Sequence, residues 1–373
     1  MIESADGLGS IGGIEIEAIS SREALEEFAA LPFEIYGKRD AWWPPDIENE
    51  VELISGRNPI AAHLDLVPMW ALHDGRLVAR VSAVVNHRYN QLWNEKLGQL
   101  IHFEALPGEG EAVTALLAEA GGWLKGRGMT AARSGFAAFL DYPYAIDNYD
   151  GFPSFLLRGN PDYYHCYFKN AGFETEKGFT DYTVALTPDV LERYRSMVAA
   201  VERAGIAVQS WSEYGSLAAI DAWTDVTNEA FTHHWGWNPI TRQEVRPMLM
   251  AMMRTPVADL SIVASAEGHP IGSVFSVPDL SPALARIRPG MKLSPERGGG
   301  TRGALINIGV LEGWRGRGVN LAMAARSFLT MAEQGMRYAG YTLVLDDNWP
   351  SRHTAQKLGA SITSNFVVYR RQL

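Results

Sequence analysis

The stretch Ala304-Leu-Ile-Asn-Ile-Gly-Val-Leu-Glu-Gly-Trp-Arg-Gly-Arg-Gly-Val-Asn320 decides how this chain is read. An apolar strand runs into the glycine-rich basic turn Arg315-Gly316-Arg317-Gly318-Val319-Asn320, and a helix rich in Ala, Met and Leu follows directly. Gly316 and Gly318 carry no side chain, so main-chain N–H groups can converge on an anion at the positive end of the helix. Two arginines add fixed charge. The turn has the makings of a phosphate site.

Downstream of that helix come Gly335, a second strand over Tyr341 to Leu345, the run Asp346-Asp-Asn-Trp-Pro-Ser351, a short helix ending Lys357-Leu-Gly359, and a last strand around Tyr369. Together these segments resemble the Gcn5-related N-acetyltransferase (GNAT) superfamily. Its pyrophosphate-loop pattern is Gln or Arg, two residues, Gly, one residue, then Gly or Ala. Arg315 and Gly318 meet it, and Asn320 departs from it. A later family pattern is met by Asn348, Ser351, Lys357 and Gly359.

The whole chain further resembles a bacterial group of that superfamily with two such domains in tandem, and internal repetition agrees. Trp43, Pro45, Glu50 and Val51 recur at one offset as Trp237, Pro239, Glu244 and Val245. Gly75 and Val81 recur as Gly268 and Val274, Gly128-Met129 as Gly335-Met336, and Gly172 with Tyr182 as Gly359 with Tyr369. A repeat this long implies two copies of one domain rather than a solenoid of short units. The fold class expected is α/β: two tandem GNAT-like acyl-CoA N-acyltransferase domains, each a central mixed β-sheet flanked by helices.

The organisation expected is a flexible tail over 1–13, a degenerate GNAT-like domain over 14–187, a linking helix over 188–205 and a cofactor-binding GNAT domain over 206–373. Thr187 is positioned to cap the linking helix, and Pro188 suits its first turn. The region 282–303, rich in Gly, Pro and Arg, reads as a long loop that is either mobile or a substrate lid.

Composition bounds the function. The chain has 373 residues, of which 47% are hydrophobic, enough for a core in each copy. A formal charge of −10 argues against a nucleic-acid partner. A single cysteine, Cys166, excludes an intramolecular disulfide and a thiolate metal site. Neither a membrane-length apolar run nor a basic secretory start is present, so the cytoplasm is the expected compartment.

The copies differ chemically. Where the second has Arg315 and Gly318, the first has Gly108 and Glu111 within Pro107-Gly-Glu-Gly-Glu111. Two carboxylates there oppose a diphosphate and suit the helix N-terminus themselves. The first copy is therefore read as having lost its cofactor. It also carries an insertion over about 137–160, which reads as a packing platform or homodimer contact, with a substrate-recognition wall as the alternative.

The resemblance implies that acetyl-CoA or another acyl-CoA, as co-substrate and without a metal, lies along the strand ending at Val310 and Leu311. Arg315, Gly316, Arg317, Gly318, Val319 and Asn320 would hold the pyrophosphate, with the Asn320 amide turned away or donating. Asn348 and Ser351 would line the thiol end. Many relatives place a tyrosine seven residues after the asparagine to protonate the leaving thiolate; here that residue is Ala355. Candidates for a base are Asp346, or Asn307 acting through water, and a carboxylate serves only if burial raises its pKa.

Other features weigh less. Gly7-Leu-Gly9-Ser-Ile-Gly12 follows no strand, so it is no dinucleotide fingerprint. Trp42-Trp43-Pro44-Pro45 reads as a structured loop. Of His233 and His234, one packs near Trp235 and Trp237 and at most one faces a cleft; they make no metal site. The methionines at 248, 250, 252 and 253 read as core filling. Two function classes follow: an N-acyltransferase, most simply an N-acetyltransferase, acting on an amine of a small molecule, amino acid or peptide; or a non-catalytic acyl-CoA-binding or protein-interaction module.

Overall fold

The structure is a computed structural model that describes residues 12–37, 42, 44–137, 140–151, 153–154, 157, 159–279 and 300–373. Most of the 282–303 loop, Trp43, Gly7 and Gly9 lie outside the described residues.

The strands are β1 (Ile14–Ala18), β2 (Leu64–His73), β3 (Arg76–Asn86), β4 (Leu97–Ala105), β5 (Ala131–Ser134), β6 (Tyr144–Ala145), β7 (Glu174–Ala185), β8 (Ile206–Ser210), β9 (Ile262–Ala266), β10 (His269–Pro278), β11 (Arg302–Val310), β12 (Tyr338–Leu345) and β13 (Ser361–Gln372). The helices are α1 (Arg22–Tyr36), α2 (Ile47–Ile54), α3 (His87–Trp93), α4 (Gly110–Gly126), α5 (Tyr164–Asn170), α6 (Pro188–Arg203), α7 (Trp211–Tyr214), α8 (Ser216–Ala230), α9 (Arg242–Met252), α10 (Val257–Leu260), α11 (Val319–Glu333) and α12 (Trp349–Lys357).

Each half repeats one motif. The antiparallel meander β1-β2-β3-β4 ends with β5 parallel to β4, and β8-β9-β10-β11 ends with β12 parallel to β11. The two sheets are joined into one, in the order β1-β2-β3-β4-β5-β13-β7-β12-β11-β10-β9-β8. The closing strand of each half has crossed over, so that β7 pairs with β12 and β13 with β5, and β7 and β13 pair with each other. A strand's alternating pattern fixes which face is buried and says nothing about which open edge it joins. The exchange welds the halves through main-chain bonds.

Helices cover both faces. Apolar strands such as β10, buried along almost its whole length, are what two covered faces require. In the second half α11 and α6 share one core, where Tyr194 meets Phe328, and α8 and α9 enclose another with Trp211, Trp223 and Phe275. Pro188 opens α6 as expected; Thr187 stands at its N-cap, but its side chain makes no capping bond. The methionine expectation needs correction: Met248 and Met250 are each 42% exposed, and only Met252 and Met253 lean on the core, because α9 covers the sheet with one face. The described part of the insertion packs inward, with Tyr144 wholly buried and β6 paired to β13.

Candidate active site

The site begins with a slip in a ladder. On β11, Asn307 pairs with Phe275 and Leu305 with Ser276, leaving Ile306 as an extra residue. Such a bulge bends its strand. The parallel ladder between β11 and β12 ends at Leu305 and Tyr341, and on β12 Leu343 takes a left-handed φ of 55° where register with β7 is lost. Past that point the two strands diverge and a notch opens between them.

The notch leads into a cavity of about 710 Å³. Asn307, Val310, Arg315, Gly316, Asn320, Asn348 and Ser351 all line it, gathered from three separate elements. Leu311 is turned the other way, its N–H donated to the Ile271 carbonyl at 2.9 Å. Because ladder bonds alternate along a strand, that bond directs the main-chain groups of Val310 and Ile308 toward the notch. The Val310 carbonyl accepts from Arg315 Nε at 3.1 Å, and Arg315 Nη2 donates to the Ala230 carbonyl at 3.2 Å. Gly309 packs closely, since a Cβ there would come within 3.1 Å of Ala230 on α8 and crowd that helix.

The basic turn has the conformation its glycines allow. Gly316 and Gly318 have φ of 77° and 79°, and Gly318 stands at the N-cap of α11 without a side-chain capping bond. The first N–H groups of Val319 and its neighbours thus lack intrahelical acceptors and face outward as donors. Arg317 lies over the Trp314 ring, 4.8 Å from its centre. The Asn320 amide turns aside and donates to Thr354 Oγ1 at 2.8 Å, which leaves its main-chain N–H to the turn.

On the far wall Asn348 caps α12, its Oδ1 accepting from the Ser351 N–H at 3.2 Å. Ser351 Oγ meets the Tyr341 hydroxyl at 2.9 Å. Burial pushes the Tyr341 phenol up to about 12, so it holds its proton at any neutral pH. Ala355 is fully buried. The strand therefore brings a tyrosine hydroxyl to the first turn of α12, where the helix supplies none. Asp346 is not brought to the cavity: its carboxylate is exposed and lies over Gly178, because the residue that follows a strand's last ladder position is free to turn outward. Asn307 is on the wall, its Oδ1 3.5 Å from Thr227 Oγ1. Tyr341, which also lines the cavity, escaped the sequence reading, and the histidine expectation needs correction: at most one was expected at a cleft, and both His233 and His234 line it. Tyr341 is indistinguishable by sequence from a core strand residue.

The first half forms the same slip and fills the slot. Its bulge lies at His102, with φ of 57°. The Ala105 N–H donates to the Tyr164 hydroxyl at 3.0 Å, and the Ala105 carbonyl accepts from Tyr163 at 2.9 Å. Tyr167 donates to the Leu106 carbonyl and accepts the Glu109 N–H at the turn. Glu109 is at the N-cap of α4 without a capping bond; its carboxylate instead meets His73 Nδ1 at 2.7 Å and holds that imidazole's pKa above its ordinary value. A more open depression of about 820 Å³ beside α4 is lined by Ile14, Ile16 and the carboxylates of Glu111 and Glu119, a poor seat for an anion.

Solved structures share this architecture across nearly the whole chain. A tandem GNAT protein from the clavulanic acid biosynthesis pathway superposes with a TM-score of 0.55 at 14% identity, covering 96% of this chain and 98% of that one. The chain has the tandem GNAT fold. A GCN5-related N-acetyltransferase from Sphaerobacter thermophilus, which shares that fold, gives 0.54 at 14% identity over 96% of this chain and 95% of its own. The GCN5-related glucosamine N-acetyltransferase region of a fungal multi-domain GH3 β-N-acetylglucosaminidase gives 0.58 at 15% identity over 97% of this chain, which spans 38% of that larger protein. By sequence, this GNAT-fold chain is 22% identical to the bacterial ceramide synthase of Caulobacter vibrioides, over 96% of this chain and 98% of that protein. It is 18% identical to protein YghO of Escherichia coli, over 73% of this chain and 70% of that protein. No family model matches the chain.

Proposed function

We propose that the chain is a cytoplasmic acyl-CoA-dependent N-acyltransferase whose chemistry takes place in the C-terminal half, residues 206–373, with 14–187 a degenerate copy. One observation carries the reading: the open edge of β11 runs directly into a turn of unpartnered helix N–H groups flanked by two arginines. That continuity suits a donor with a diphosphate at one end and an amide-bearing arm at the other. The turn 315–320 would hold the diphosphate, and Ile308 and Val310 would bond the arm as an added strand does. Main-chain N–H groups of β11 would polarise the thioester carbonyl, whose oxygen gains charge as the amine attacks. Asn307 would orient the acceptor or a water. As the C–S bond breaks, the Tyr341 hydroxyl, relayed by Ser351, would protonate the departing thiolate.

The alignment with bacterial ceramide synthase over 96% of the chain makes a long-chain amino alcohol the first acceptor to try. Calorimetry with acetyl-CoA and palmitoyl-CoA, with thiol release across a panel of amines that includes such a lipid, tests the reading. One bound acyl-CoA per chain and amine-dependent release are expected, with Tyr341→Phe slowing release while leaving the affinity intact. Binding without release for any amine would favour the non-catalytic acyl-CoA-binding module, and no binding would leave only the protein-interaction module.

A further inference from the structure

One side chain in the cavity has a fixed proton arrangement that the reaction above leaves unused. His234 lies in the turn after α8, its N–H donated to the Phe231 carbonyl at 2.8 Å and its ring 5.0 Å from the Phe231 ring. Nδ1 stands 3.2 Å from the Trp235 carbonyl. A carbonyl only accepts, so that bond needs the proton on Nδ1 and leaves Nε2 with its lone pair in the neutral ring. Burial lowers the imidazole pKa below its ordinary value, while the Trp235 carbonyl and Asp347 pull it back up. Tyr341, Asn348 and Ser351 line the same cavity as His234. Of the other titratable and charged residues, Glu229, His233, Glu312 and Arg315 line the same cavity, and Asp347 is itself ion-paired with Lys177.

The turn that carries His234 is held by the other half of the molecule. The Trp235 ring packs 5.4 Å from Phe136 and 6.0 Å from Phe179, and the Arg133 guanidinium lies 4.4 Å from its centre. Arg133 is buried and doubly bonded to Glu176 at 2.6 and 2.7 Å. Gly236 has a φ of 77°, and a Cβ there would strike the Phe136 ring at 2.6 Å. These contacts hold the turn from which the imidazole projects, including the residue whose carbonyl Nδ1 meets.

We propose that His234 Nε2 accepts the proton of the attacking amine, with the N-terminal half, through Arg133 and Phe136 on Trp235, acting as the device that positions it. The inference rests on the acyl-transfer reading above. A neutral amine nitrogen bonds to the thioester carbonyl carbon, and its surplus proton passes to Nε2, giving imidazolium with Nδ1–H still on the Trp235 carbonyl. The C–S bond then breaks, the thiolate takes a proton from Tyr341, and solvent exchange resets both groups. Amide and free thiol are the products, so atoms and charge balance. Trp235 is a positioning residue in this scheme, and His234 the catalytic one.

The test measures thiol release with palmitoyl-CoA and the fastest amine of the panel, alongside calorimetric palmitoyl-CoA affinity and melting temperature for each variant. His234→Gln is expected to lower kcat by about 10²- to 10³-fold with affinity for palmitoyl-CoA unchanged, and to leave only the acid limb set by the amine's own ammonium. Added imidazole should restore part of the rate in His234→Ala. Trp235→Ala should lower kcat without loosening palmitoyl-CoA, and ¹⁵N spectra of histidine-labelled protein should show Nδ1 protonated and Nε2 bare in the wild type but a mixture in that variant. An acid limb in His234→Gln that coincides with the wild type's, or a bare Nδ1 in the wild type, overturns the inference while leaving acyl transfer standing. Wild-type protein that binds palmitoyl-CoA yet acylates no amine overturns the transfer reading and the inference with it.

Discussion

The two halves make the same slot and treat it oppositely. In each, a bulge bends the fourth strand away from its parallel neighbour, at His102 in one and at Ile306 in the other. In the first half the exposed strand edge is satisfied by hydroxyls of Tyr163, Tyr164 and Tyr167 from a single helix turn, and Glu109 and Glu111 stand at the following turn. In the second half the edge runs open into the Gly316 and Gly318 turn. The lesson is that the fold supplies an edge of unpaired main-chain groups wherever it is repeated, and those groups require partners. Whether the partner is the chain itself or a ligand depends on a few residues outside the bulge.

Three experiments press on that contrast. Arg315→Glu should have the largest effect, because it places a carboxylate at the turn as the first half does; acyl-CoA affinity by calorimetry should fall by about a hundredfold or more, equivalent to about 3 kcal/mol. Undiminished affinity would mean the turn is not the anchor. Tyr164→Phe should come next. The Tyr164 hydroxyl accepts the Ala105 N–H and donates to Glu104 Oε2 at 2.7 Å, so the change strips both of a buried partner, and urea unfolding should show a loss of about 1–3 kcal/mol with acyl-CoA binding in the second half untouched. A neutral result would mean the tyrosines merely fill space. The smallest effect is expected for Glu109→Gly combined with Glu111→Gly. Removing the carboxylates leaves the tyrosines in place, so stoichiometry by calorimetry should stay at one. A second bound acyl-CoA would show that charge, not occupancy, closes the first slot.

Much of the candidate site was readable because its determinants are local. Gly316 and Gly318 mark left-handed positions, the arginines mark charge, and Asn348 and Ser351 mark a helix start, all within short spans of chain. Asn320 was recognised as a departure, and its resolution by Thr354 needed another helix. Asp346 was local too, yet the direction of a side chain at a strand's end depends on solvent and on Gly178 across the ladder. Tyr341 was hidden, and the choice between His233 and His234 stayed open, for a different reason. Each gains its character from a neighbour distant in sequence or from the wall it faces: Ser351 for the phenol, and the Trp235 carbonyl held in place by Phe136 for the imidazole.

The amino-acid sequence by itself determined the repeated order of strands and helices, the glycine-rich basic turn of the second copy and the acidic turn of the first. Periodicity, glycine and charge act over a few residues and need no knowledge of the rest. Only the tertiary structure decided that the closing strands change places, that tyrosines fill one slot and not the other, and that the first half grips the turn bearing His234. Those outcomes depend on which open edge or ring face is nearest once the chain has collapsed, and nearness in space is not written in the order of residues.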